Sequence, residues 1–441
     1  MCQTGLIALQ VGVVKQQDMK RILFAIAGLL TLVACSQTDP PQLPDVETTP
    51  VREGRISRKQ AEEALLKARS EFYPETRSAT PRIASCQSCG RGLSLATRAD
   101  DEPAVYVFNF EDNQGFAIMA ATPELPELIA ISDKGNLDLA NLPDNGVRDF
   151  VSLLSDWTID RPDTAVHEVG DVYTVTSTRD TTITSALCKV KWNQGYPYNQ
   201  YTPIVNGVHA QVGCGGVAVA QAMSIYGRPT SLEGYTFDWD AMIDEYPTAE
   251  GMDQLARFME VIGRTGIGNF LYDHPGGTGC IIPNLVDILH ICGYEKALYP
   301  EYILDKATGA TAGVPYRELD ILGELGKLRP VIVFGTTDGD FFQRLGHFWL
   351  LHGYMQRQRV IEQRKETEQG SELLSRRTET EDYVLCNWGW GGVYDGYYLN
   401  GVFDQTRDYI PDGNSPDFGD GFDYSSGLRA IINIYPANKW N

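Results

Sequence analysis

Gly213-Cys214-Gly215-Gly216-Val217-Ala218-Val219-Ala220-Gln221 is a run of small residues that opens on a cysteine. It continues as a helical pattern to Tyr226, and Gly227 with Pro229 supplies the stop signal. A helix N-terminus favours an anion, so a thiol placed there is biased toward the nucleophilic thiolate. Small residues let such a helix pack close to another layer and leave room for a substrate backbone. Taken alone, a cysteine in a small-residue helix is more often a buried apolar side chain than a nucleophile. The reading therefore depends on what else the chain offers.

A nucleophilic cysteine needs a base. His347 lies in Gly346-His347-Phe348-Trp349-Leu350-Leu351-His352-Gly353-Tyr354, at the mouth of an apolar strand. His352 is its rival, but strand residues of opposite parity face opposite sides, so the two cannot share a face. The base in turn needs an orienter. Asn387, in Asn387-Trp388-Gly389-Trp390-Gly391-Gly392, follows the next strand; its amide can hold the imidazole tautomer while Trp388 shields that bond from water. Gln194, in Trp192-Asn193-Gln194-Gly195-Tyr196-Pro197-Tyr198-Asn199, precedes the cysteine by about twenty residues. Its side-chain amide can pair with the Cys214 backbone N–H as an oxyanion hole, where one donor is worth about 3–4 kcal/mol.

Around these residues the pattern predicts two α+β domains. Ser57-x-x-Gln60 before Ala61, Ala64, Leu65 and Ala68 is a capping box opening a helix. Strand-like runs follow at 104–110, 116–121 and 128–132, with a short helix at 150–157. The segment 77–102 reads as irregular, and its Cys86-x-x-Cys89 as a local disulfide, there being no second pair at zinc-site spacing. Residues 166–186 read as an exposed connection. In the second domain Leu255, Phe258, Met259 and Ile262 share one helical face, as do Leu285, Ile288, Leu289 and Cys292. Strands follow at 331–334, 348–352, 383–386 and 430–435, so helices come early and strands late. The charged stretch 356–382 is either a solvated excursion or a long hairpin.

The order Gln, Cys, His, Asn in these surroundings resembles the streptopain family of papain-like cysteine peptidases. The resemblance rests on Gln194-Gly195-x-Pro197-Tyr198-Asn199, on Gly213-Cys214 with Ala218-x-Ala220-Gln221-x-Met223, on Gly346-His347, and on Asn387–Gly392 with Asp395-Gly396-Tyr397. Gly421-Phe422-x-Tyr424 before Ala430-Ile431-x-Asn433-Ile434 is similar to the family's C-terminal end. The first domain resembles the family's inhibitory propeptide through Val105–Asn109, Gly115–Ile118 and Ile131-Ser132-Asp133-x-Gly135. What the resemblance implies is an α+β, papain-like zymogen that hydrolyses peptide bonds through an acyl-thioester. Cys214 would be the nucleophile, His347 the base and later the acid, and Asn387 its orienter; Trp388 would be the shield and Gln194 the oxyanion donor. It implies no metal or organic cofactor. Its partners would be protein or peptide substrates and the chain's own prodomain, cut away near 170–188. The chain departs from the family in carrying Gly215-Gly216 directly after the cysteine, a cost of roughly 1 kcal/mol each in helix propensity. A papain-like acyltransferase and a non-catalytic binding protein on the same scaffold remain as alternatives.

The N-terminal 35 residues read as addressing. Lys20 and Arg21 precede an apolar run from Ile22 to Ala34, too short to span a membrane, ending in Leu32-Val33-Ala34-Cys35. That ending resembles a bacterial lipobox with Cys35 as the lipidated residue, which implies export and a lipid anchor in the cell envelope; Met19 is the expected start. The expected organisation is a signal over 1–35, a Pro-rich tether over 36–51, an inhibitory prodomain over 52–165, an activation linker over 166–188 and a peptidase domain over 189–441. The 441 residues carry a net charge of −21, with no basic stretch able to neutralise a phosphate backbone, which argues against nucleic acid as a partner.

Overall fold

The computed structural model describes residues 56–73, 82–93, 103–122, 125–142, 146–160, 172–244, 247–272, 277–305, 310–336, 346–367, 370–403 and 428–437. All the described residues lie in one compact unit within Pro50–Asn441. The expected signal with Cys35, the tether and Gly421-Phe422-x-Tyr424 lie outside the described residues.

Helix α1 (Arg58–Phe72) starts at the capping box: the Gln60 N–H donates to Ser57 Oγ and the Ser57 N–H to Gln60 Oε1. Ala61, Leu65, Ala68 and Phe72, at helical spacing, are buried against the first part of a sheet. That part is an antiparallel meander of β1 (Ile83–Cys89), β2 (Val105–Phe110), β3 (Phe116–Ala120) and β4 (Leu128–Ser132). Every residue of β2, β3 and β4 is buried, so both faces of these strands are covered. Helix α2 (Gly146–Asp160) then buries Val147, Phe150, Val151, Leu154 and Trp157.

Two expectations fail here. The segment read as irregular contains β1, which pairs with β2 from Ile83↔Phe110 to Cys89↔Val105. Cys86 and Cys89 are free thiols and not a local disulfide. A strand sends residues of opposite parity to opposite faces, so extended backbone holds these two sulfurs apart.

The second part supplies β6 (Val331–Thr336), β7 (Gly346–Thr367), β8 (Gly370–Asn387), β9 (Gly396–Leu399) and β10 (Arg429–Ile431). Strands of both parts form one sheet in the order β1-β2-β3-β4-β9-β8-β7-β6-β10. The junction is the β4–β9 pair, Gly396↔Ser132 to Tyr398↔Ala130. Alternation along β6 and β7 divides two cores. Val331, Val333, Trp349 and Leu351 face the core shared with α1 and α2. Ile332, Phe348 and Leu350 face a second core. That core holds α3 (Cys214–Ser224), α4 (Ala249–Gly263) and α5 (Ile282–Ile291). The result is an α+β fold with a helical half and an antiparallel sheet half.

The stretch 356–382 is a long hairpin made by the distal ends of β7 and β8. The expected exposed connection is also ordered: β5 (Val172–Ile183) pairs with β7 from Met355↔Ile183 to Lys365↔Val172. Its Thr-, Val- and Asp-rich sequence lacks an apolar period because its partner strand is equally polar. Its register on β7 makes it a strand without an apolar period of its own.

Candidate active site

All residues of α3 after Cys214 are buried, which makes it the central helix of its core. Gly213 enters it at φ 90°, a backbone that favours glycine. The two glycines that follow the cysteine have a steric reason. A Cβ on Gly215 would lie 2.4 Å from Cys280 Sγ, and one on Gly216 would lie 2.9 Å from Phe270 Cε2. Space taken by Cys280 and Phe270 thus explains the departure from the expected pattern.

The Cys214 thiol is half-buried and free. Burial pushes its pKa up, and the Asp149 carboxylate adds to that rise. The backbone N–H groups of Phe348, Gly215 and Cys214 itself pull the other way. The Phe348 N–H belongs to β7, so the sulfur reaches the strand beside His347. His347 is 8% exposed, and its Nε2 lies 3.2 Å from the Trp388 carbonyl oxygen. His352 is a structural residue: its Nδ1 accepts the Cys188 N–H at 3.3 Å, and burial lowers its pKa to about 3, so it stays neutral. Gln194 is buried, and its carbonyl accepts the Val212 N–H at 2.9 Å, two residues before Cys214.

Asn387 is committed elsewhere in this state. Its Oδ1 accepts from Gln221 Nε2 at 2.9 Å and from the Gly389 N–H at 3.1 Å. Its Nδ2 donates to the Val190 carbonyl at 2.9 Å and approaches Cys188 Sγ at 3.9 Å. The amide therefore fastens α3 to the end of β8. Gln221, seven residues after the cysteine, is the helix side of that fastening. Trp388 is fully buried, with its ring 5.1 Å from Trp349 and 5.1 Å from Tyr398.

The prodomain occupies the remaining side of the site. The start of α2 lies on the Trp388 indole: a Cβ on Gly146 would stand 2.3 Å from Trp388 Cζ3 and 3.0 Å from His347 Cδ2. One turn on, Asp149 is 5% exposed and acts on Cys214. The turn after β4 clasps the loop 388–395. Ser132 Oγ donates to the Asp395 carbonyl at 2.7 Å, Lys134 Nζ donates to the Gly391 carbonyl at 2.9 Å, and the Tyr394 N–H donates to the Lys134 carbonyl at 3.0 Å. Substituting Gly146→Ala should overpack this contact at a cost of about 1–3 kcal/mol. Iodoacetamide should then label Cys214 faster in the full chain by roughly 5- to 150-fold; an unchanged rate counts against α2 as the wedge.

Sequence reading missed Gly146, Asp149 and the role of Asp395. Asp395 lay inside a quoted motif, yet nothing local announces that its Oδ1 accepts the Trp388 N–H at 2.9 Å. Burial raises the Asp395 pKa to about 7, while that N–H and Lys191 oppose the rise. The folded value lies above the unfolded value of about 3.9. Its stabilising contribution is thus full below about pH 4 and is lost as the pH rises through about 7. The melting temperature of the full chain should fall between about pH 4 and pH 7, and Asp395→Asn should flatten that slope. Equal slopes in the two proteins would refute the assignment.

Residues 192–398 match the Peptidase C10 family and residues 50–156 match the Spi protease inhibitor family. The thiol protease/hemagglutinin PrtT of Porphyromonas gingivalis is 25% identical over 458 residues, covering 96% of this chain and 45% of that protein. The chain thus spans less than half the length of that relative. Streptopain of Streptococcus pyogenes is 21% identical over 334 residues, 67% of this chain and 73% of its own. Among solved structures, a fragment of Prevotella intermedia prointerpain A is similar at 19% identity with a TM-score of 0.48, covering 75% of this chain and 96% of that one. Residues 192–398 are thus similar to the Peptidase C10 family, and residues 50–156 ahead of them to the Spi protease inhibitor family.

Proposed function

We propose that the chain is a cysteine endopeptidase made as a zymogen. The observation that carries this reading is the Cys214 thiol at the N-terminus of α3, facing the β7 backbone beside His347, with α2 of the inhibitor domain laid over both. Cys214 attacks the scissile carbonyl and His347 takes its proton. The tetrahedral oxyanion is received by the Cys214 N–H and the Gln194 side-chain amide. His347 returns the proton to the leaving amine, and water then hydrolyses the thioester. Asn387 orients His347 after activation, a role that requires its Oδ1 to leave Gln221 and the Gly389 N–H, and Trp388 shields the pair. In the latent state burial and Asp149 keep the thiol neutral, which is a second layer of inhibition beyond steric cover.

The proposed organisation is a signal over 1–35, a tether over 36–51, a prodomain over 52–165, an activation linker over 166–188 and a peptidase domain over 189–441. Export, and a membrane anchor through lipid on Cys35, are proposed from the N-terminal sequence. Among the described residues no helix is long and apolar enough to cross a membrane.

The test is incubation of the processed protein with casein, with and without an added amine. New free carboxyl termini in both reactions are expected. Amine-capped products without hydrolysis would show an acyltransferase instead.

A further inference from the structure

One thiol beside the nucleophile has no part in this chemistry. The Leu271 and Gly279 backbones pair in both directions, at 2.9 and 3.0 Å, and pin the segment that leads to Cys280. Thr278 Oγ1 donates to the Gln211 carbonyl at 2.5 Å. Thr278 also fills the space a Cβ on Gly213 would need, its own Cβ 3.1 Å from that position. Residues 278–280 therefore run alongside 211–215, with Cys280 Sγ seated on Gly215. The Gly215 N–H faces both sulfurs, and the Cys214 charge acts on Cys280. Both thiols are free and only half-buried. Because residue 215 is glycine, it places no side chain of its own between them.

We propose that Cys280 is a resolving thiol for Cys214, so that the pair closes into a reversible disulfide that switches the nucleophile off. The oxidant class is a low-molecular-weight disulfide. The Cys214 thiolate attacks one of its sulfurs, forming a mixed disulfide and expelling one thiolate, which takes up a proton. Cys280 loses its proton to solvent and attacks the Cys214 sulfur, expelling the second thiolate. Two protein thiols are oxidised by two electrons, and the small disulfide is reduced to two thiols. Burial holds the Cys280 thiol well above its ordinary pKa, which lowers the thiolate fraction available for the second step.

The switch rests on Cys214 being the nucleophile, and the experiment separates the two claims. The full chain is treated with oxidised glutathione, remaining thiols are alkylated, and peptides are analysed by mass spectrometry; hydrolysis of casein is measured after processing. Linked Cys214 and Cys280 peptides are expected, with hydrolysis lowered at least about tenfold and restored by dithiothreitol. Cys280→Ser should instead accumulate the Cys214–glutathione adduct. A wild-type chain that carries that adduct while Cys280 is alkylated overturns the proposal, as does one in which neither thiol reacts before or after processing. If the linked peptides form and hydrolysis is unaffected, the disulfide stands and the assignment of Cys214 as nucleophile falls.

Discussion

Substituting Cys214→Ala should lower casein hydrolysis by about ten-thousand-fold or more while the chain stays folded. The size follows from what is lost. Without the sulfur the proposed acyl-thioester cannot form, and what remains is binding and the proposed oxyanion donors, Gln194 and the residue 214 N–H. The fold should survive because the buried residues of α3 from Val217 to Met223 are untouched and Cys214 is only half-buried. Asn387→Ala makes the contrast. It removes the acceptor of Gln221 Nε2 and the donor to the Val190 carbonyl, both buried. Each polar group left unpaired costs about 1–3 kcal/mol. That variant should lose melting temperature as well as activity. Thermal unfolding and hydrolysis measured together check the pair; residual activity in Cys214→Ala within tenfold of wild type would sink the mechanism.

How much of this was legible depended on how far each residue's partners lie in sequence. The α3 N-terminus, the His347 strand and the turn at Asn387 are local patterns, and each stands where periodicity and turn residues place it. Ser57 and Gln60 form their capping box for the same reason. The misreadings share a different cause. The strand Val172–Ile183 finds its partner at Met355–Lys365, and no apolar alternation marks it because both strands are polar. Gly146 and Asp149 look like ordinary helix residues until α2 is laid on Trp388, His347 and Cys214. Cys280 sat in a glycine-rich loop, and only packing shows it seated on Gly215. One signal for the charged hairpin was available. Arg357 and Arg359 are two residues apart, so in a strand they share a face, and a shared face of two arginines calls for carboxylates.

Those carboxylates come mainly from the prodomain, and this gives the second large effect. Arg357 is 1% exposed. Its Nη1 donates to Glu127 Oε1 at 3.3 Å, and its Nε lies 3.2 Å from Glu71 Oε2, too poorly aligned for a hydrogen bond. Arg359 donates to Glu381 Oε1 at 2.8 Å and to Glu127 Oε2 at 3.4 Å. Tyr383 Oη donates toward the Leu128 carbonyl at 2.9 Å and also lies 3.0 Å from Glu381 Oε2. Burial works against the Arg357 charge, but Glu127, Tyr383, Glu71 and Glu381 together hold its pKa raised. Removing one member of a buried pair costs about 3–5 kcal/mol. Glu71 and Glu127 keep 21% and 25% of their side chains exposed, so screening by water reduces that to about 2–3 kcal/mol. Arg357→Met should therefore weaken prodomain docking by roughly 30- to 150-fold. The check is the iodoacetamide labelling rate of Cys214 in the full chain, which rises if α2 lifts more often. Arg377→Met is the control, because Arg377 pairs with Glu379 inside the hairpin at 2.8 Å. It should leave the rate unchanged. Glu127→Gln combined with Arg357→Met isolates the coupling between them, since a double change should cost less than the sum of the single ones. Strict additivity, or equal rates for Arg357→Met and Arg377→Met, would mean that the buried ion network does not hold the prodomain and that docking rests on α2, the β4–β9 pair and the turn after β4.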